Sequence, residues 1–123
     1  MANATWTSER KSAAYPKTLE IMPGFSLRLA PSNARDKWLV EIYDGGKPGF
    51  AMEFQTNPNE SPELAGAYLA ADIQSSLASA LLDKAMHPDF PGALLSTAVD
   101  QAEKSRTLID TAAKLLAEAI GTP

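Results

Sequence analysis

Apolar and polar residues alternate along the first half of the chain and recur every third and fourth position in the second. The change falls at residues 55–64, Gln-Thr-Asn-Pro-Asn-Glu-Ser-Pro-Glu-Leu. Phe25, Leu27 and Leu29 face one way while Ser26 and Arg28 face the other, the period of a half-buried strand. Trp38, Val40 and Ile42 share a face opposite Lys37, Leu39, Glu41 and Tyr43, and Phe50, Met52 and Phe54 stand against Ala51, Glu53 and Gln55. Leu19 and Ile21, within 17–22, suggest a further strand. The pattern predicts an antiparallel meander of three or four strands with one face covered. Glu41 and Glu53 are expected opposite each other across the last hairpin, with Arg28 or Lys37 beside them to offset their repulsion.

Residues 43–50, Tyr-Asp-Gly-Gly-Lys-Pro-Gly-Phe, have the glycines of a phosphate-binding loop. Such a loop ends in Gly-Lys-Ser/Thr and runs into a helix whose first amides hold the phosphates. Here Pro48 follows Lys47, so the metal-binding hydroxyl is missing, and a strand pattern comes next. Asp44, Gly45 and Gly46 suit a chain reversal, and Pro48 suits an edge or turn where no amide is needed. The stretch reads as a hairpin turn.

Two helices are predicted beyond residue 57. Ser61-Pro62-Glu63 combines an N-cap serine, a proline at the first helical position and an acid near the positive dipole end. Leu64, Tyr68, Leu69, Ile73, Leu77, Ala80 and Leu81 follow at helical spacing, and the helix should stop at or before His87, ahead of Pro88. Asp89 is a plausible cap for the next helix. In it, Leu95, Ala98, Ala102, Ser105, Ile109, Ala112, Leu116 and Ala119 alternate steps of three and four, an unbroken a/d stripe widened by Leu94, Leu108 and Leu115. Gly121 closes it. The predicted fold is α+β: one domain over 1–123, with a meander in 1–57 and a two-helix antiparallel hairpin in 58–123. A helix from Pro91 to Ile120 would be about 45 Å long, against a diameter of roughly 35 Å for a compact chain of this size. Either it breaks near Ser96-Thr97 or the hairpin protrudes, and a protruding apolar stripe should find a partner.

Composition narrows the function. The 123 residues are 45% hydrophobic and 21% charged, ordinary for a soluble globular domain. No apolar run approaches the roughly 20 residues of a membrane helix, and residues 1–16 lack a secretory pattern, so a cytoplasmic protein is expected. With no cysteine, disulfides and thiolate chemistry are excluded. Residues 1–57 carry seven Lys/Arg against six Asp/Glu, and 58–123 carry four against nine. That scattered basic charge argues against general nucleic-acid binding.

Candidate chemistry is sparse. His87 is the only histidine, so no histidine pair for a metal exists, and a histidine before proline at a helix end chiefly ends the helix. Asp100, Glu103, Lys104 and Arg106 read as a solvated, ion-paired helix surface. No catalytic residue, metal or cofactor is assigned. The apolar second face of the middle strand, through Leu39, Tyr43 and Ala51, is expected to be covered by the N-terminal segment around Trp6 or by another subunit, or to bind a partner beside Arg28, Arg35 and Lys37.

The resulting expectation is a non-enzymatic protein-interaction module: a small homo-oligomer, a dimer first of all, that binds or blocks an unidentified protein partner. Its size and build are shared by many small regulators and inhibitors carried by phages or plasmids, an analogy of fold and size. The oligomer interface is expected at Leu95, Ala98, Ala102, Ile109, Ala112 and Leu116. The binding residues are expected among Arg28, Arg35, Lys37, Tyr43, Lys47 and Arg106. The alternative is a small-ligand or nucleotide binder, with an anionic ligand held between subunits by Arg28, Arg35, Lys37 and Arg106.

Overall fold

The computed structural model describes residues 5–34, 36–87, 89 and 92–121. Five strands, β1 (Thr7–Ser8), β2 (Lys17–Met22), β3 (Phe25–Pro31), β4 (Trp38–Asp44) and β5 (Lys47–Phe54), precede two helices, α1 (Pro62–Ala85) and α2 (Gly92–Gly121). The sheet is antiparallel throughout, in the order β1-β2-β3-β4-β5. The α+β architecture matches the periodicity, with one strand more than expected. Strand β1 is two residues long and pairs Thr7 with Thr18 and Ser8 with Lys17, too short to display an alternation.

The three central strands are placed by their apolar sides. Leu27 pairs with Ile42 and Leu29 with Val40 across β3 and β4, so the four share the face toward the helices. With Leu19 and Phe25 they are almost wholly buried. Trp38 pairs with Phe54 and Val40 with Met52, extending that face onto β5. The turn at residues 45–46 is two glycines with φ of 66° and 79°, backbone angles that a side chain would strain. The register of β4 with β5 shifts between Glu41 and Tyr43, where β5 bulges. With the two-residue turn setting the register, Glu41 faces Ala51 and Glu53 faces Leu39, correcting the expected Glu41–Glu53 pair: alternation fixes the face of each residue, and the turn and bulge fix its partner.

Helix α1 begins as its residues predict. Ser61 Oγ accepts a hydrogen bond from the Leu64 amide, and Pro62 occupies the first turn. Apart from Gln74, its buried positions are small residues, Gly66, Ala67, Ala70, Ala71 and Ala78, and at Gly66 the helix lies close to the strands. A Cβ on Gly66 would already touch Leu29 and Phe54 at 3.4 Å. Helix α2 is unbroken over 30 residues, so the break near Ser96-Thr97 does not occur. Past Ala78 on α1 and before Ala98 on α2, no described residue is buried, and this end of the hairpin reaches beyond the core.

Polar contacts fasten the two layers at either end. Gln74, buried on α1, donates to Gln101 Oε1 at 2.6 Å, and Gln101 donates to Asp44 Oδ2 at 3.1 Å. Lys104 Nζ reaches Asp44 Oδ1 and Asp100 Oδ2, each at 2.8 Å. Burial opposes the charge on Asp44, but Lys104 and Gln101 outweigh it and hold the carboxyl below its ordinary value. Lys104 is the converse: burial opposes its charge, yet Asp100 and Asp44 raise its pKa. At the other end, the Tyr15 hydroxyl donates to Glu63, and Lys17 Nζ reaches the same carboxylate at 3.0 Å. Burial works against the Glu63 charge, and hydrogen bonds from Tyr15, Lys17 and Ser61 overcome it and lower the pKa. The Tyr15 hydroxyl is pushed well up, by burial first and then by Glu63.

Candidate functional site

Three surfaces hold the residues that the sequence singles out. The first is the outer face of the sheet. Arg28 pairs with Glu41 across β3 and β4, and its guanidinium lies 3.3 Å from Glu41 Oε1 and 3.2 Å from Glu9 Oε2. Glu9 also accepts from Thr18 Oγ1 at 2.6 Å. Tyr43 stands beside this group, lining with Glu9, Thr18, Ser26 and Arg28 a depression of about 290 Å³. Two of the predicted binding residues, Arg28 and Tyr43, are thus brought together, and Arg28 is already answered by two carboxylates. Trp6 does not cover this face. It packs on the helix side, beside Leu64, Leu115 and Ala119. Its indole Nε1 is buried there without a hydrogen-bond partner.

The second surface is a wide cleft of about 850 Å³ at the end of the sheet, with residues 31–34 and 36–38 on one side and residues from 56 to 62 on the other. Lys37 and Trp38 line it together with Asp36 and Glu60, so its charges are mixed. Lys37 lies here, and Lys47 opens β5 opposite Asp44. Arg35 lies outside the described residues.

The third surface is the solvent side of the helical hairpin. The a/d stripe of α2 splits into two halves. Ala98, Ser105 and Ala112 are buried, and with fully buried Leu108 and partly buried Leu115 they make the side packed on α1 and the sheet. Of the remaining members, Leu95, Ala102, Ile109 and Leu116 turn outward: Leu95 and Ile109 are each 44% exposed, while Ala102 and Leu116 are half-buried; Ala119 is exposed beside Trp6. Of the predicted interface residues, Ala98 and Ala112 therefore belong to the chain's own core, and four belong to the open side.

The outward half has companions that the sequence reading passed over. Val99 is 45% exposed and Ile120 72% exposed; Arg106 and Ala113 are exposed as well. Leu95, Val99, Ala102, Arg106, Ile109, Ala113, Leu116 and Ile120 are spaced 4, 3, 4, 3, 4, 3, 4. They form a second heptad stripe, one turn-flank away from the buried one. The signal lay in the sequence, but the stronger run of small and large apolar residues masked it. Tyr68 of α1, 41% exposed, flanks this stripe and lines with Ile109 a shallow groove of about 220 Å³. No ion pair or side-chain hydrogen bond engages Arg106 among the described residues, and the same is true of Asp110, one turn on.

His87 stands near the exposed Asp89, with Nδ1 3.7 Å from the carboxylate. Among the described residues no three acidic or histidine side chains gather as a metal site would, and no helix is long and apolar enough to cross a membrane. Compared with family models, curated proteins and solved structures, the chain has no significant match in any of the three.

Proposed function

We propose that the chain is a non-enzymatic protein-interaction module that works as a small homo-oligomer, a dimer in the first instance, and regulates or blocks another protein. The observation that carries this reading is the uncovered stripe on α2. A helix that has already buried one apolar side against its own sheet keeps a second, parallel one in water. Exposed apolar surface of that extent and order marks an interaction site.

A second free element supports the partner-binding half of the proposal. Strand β5 is an edge of the sheet, is exposed along nearly its whole length, and carries Phe50 at 46% and Met52 at 39% exposure. Lys47, Pro48 and the bulge blunt its first half as natural edges are blunted. Residues 50–54 keep a free edge to which an extended segment of another protein can add.

The anionic-ligand alternative draws on Arg28, and the two carboxylates holding that guanidinium leave it little support. The test is in two parts. Sedimentation at tens of micromolar reads self-association. Pull-down with the wild type and with Ala51→Pro, which removes an edge amide, reads the β5 contact. A monomeric wild type, or partners retained equally by both proteins, counts against the corresponding half. A small anion copurifying in native mass spectrometry would favour the alternative.

A further inference from the structure

We infer that the outward stripe of α2 is occupied by α2 of a second copy, running antiparallel, in one particular register. This rests on the self-association proposed above and adds the geometry.

The stripe is built like a palindrome about its centre, between Arg106 and Ile109. Outward from that centre come Ala102 and Ala113, then Val99 and Leu116, then Leu95 and Ile120. An antiparallel two-fold pairing about this point sets Leu95 against Ile120 of the partner subunit and Val99 against Leu116 of the partner subunit. It sets Ala102 against Ala113 of the partner subunit and leaves Arg106 beside Ile109 of the partner subunit. Every member then has a partner over about 37 Å of helix. The small Ala layers on both sides of the centre allow the axes to approach, and the large residues close the ends, as in bundle packing.

The charges single out the same register. A two-fold axis places equal flanks of the two helices on the same side. The partner's Asp110 then lies within about one residue rise of Arg106, roughly 1.5 Å along the axis. Neither group has an ion partner among the described residues of its own chain. On the same flank, exposed Glu103 and the partner's Lys114 lie about two residues apart in level. A parallel pairing would set Arg106 against Arg106 of the partner subunit in the middle of an apolar seam, which repulsion and desolvation disfavour. A slip of one heptad would leave two apolar residues at each end in water.

The absence of cysteine makes the register directly readable. Under mild oxidation, Ala102→Cys combined with Ala113→Cys should give a covalent dimer on a non-reducing gel, while Ala102→Cys alone should stay a single chain. The two positions in one chain lie about 16 Å apart along the helix, too far for an internal bridge. Arg106→Asp and Asp110→Arg, each alone, should weaken dimerisation about tenfold or more, and the two together should restore it. Circular dichroism confirms that each exposed-site variant is folded.

Cross-linking of Ala102→Cys alone would overturn the antiparallel register. Absence of cross-linking in the double variant, with a dimeric mass, would overturn this pairing and leave self-association standing. A monomeric mass for the unmodified protein would remove both.

Discussion

The outer face of the sheet and the outer stripe of α2 are both turned to solvent, and they are finished in opposite ways. On the sheet, Arg28 sits between Glu9 and Glu41, Glu9 also takes the Thr18 hydroxyl, and Glu53 accepts from Ser32. The arginine that would draw a ligand to that face has been answered from within. On α2, four large apolar side chains stand exposed around an arginine that has no ion partner among the described residues. Charge and hydropathy alone would nominate the sheet, with its Arg28 and Tyr43, as the binding surface. The contacts nominate the helix, because a site is marked by groups left unanswered and not by groups that are merely reactive.

The sharpest way to test this contrast is at two neighbours in sequence. Leu108 is fully buried against the sheet and Ile109 is 44% exposed. Leu108→Ala should cost about 2–5 kcal/mol in urea unfolding, by lost transfer energy and a cavity. Ile109→Glu should change monomer stability by no more than about 0.5 kcal/mol, yet weaken self-association more than tenfold in sedimentation. If the two variants lost stability equally, the division of the helix into a closed and an open side would be wrong.

A smaller effect is expected at the fastening between sheet and helices. Glu63→Ala should cost about 1.5–3 kcal/mol, since hydrogen bonds from Tyr15 and Lys17 to a charged group are lost. The folded pKa values of Glu63 and Asp44 are both depressed. Their contribution is therefore fully present above the ordinary carboxylate range. It is lost as pH falls from about 4 through the lower folded values. Acid unfolding of Glu63→Ala, followed by circular dichroism, should accordingly be shallower on this limb than that of the wild type. Smallest of all is Arg28→Ala. With its pairs partly exposed it should cost no more than about 1 kcal/mol and leave the oligomer mass unchanged. A large loss of association there would move the interface to the sheet.

Much of this architecture can be read from residues alone, and the gaps have physical causes. The alternations of 25–29 and 38–42 place the core strands, and Ser61-Pro62 places the start of α1, because burial and capping each leave a local pattern. The two-residue turn at 45–46 and the one-residue bulge in β5 set Glu41 opposite Ala51 and Glu53 opposite Leu39, a register that alternation, which fixes only the face of each residue, does not reveal. The heptad spacing of α2 announces a helix with a surplus of apolar surface, but two overlapping stripes share that spacing. Only the position of α1 and the sheet decides that Ala98 and Ala112 are spent on the chain's own core. Leu95 and Ile109 are not. Arg28 and Tyr43 do come together, as a shared strand face requires, while the answer to the arginine comes from Glu9, in a segment whose path no periodicity predicts.

The most direct measurement is the molecular mass of the unmodified chain in solution, by sedimentation equilibrium across a dilution series, beside Ile109→Glu at the same concentrations. The wild type should approach twice the 13.1 kDa chain mass at tens of micromolar and fall toward one chain on dilution, and the variant should remain a folded monomer throughout. A wild type that stays at one chain mass over the whole series would contradict the account.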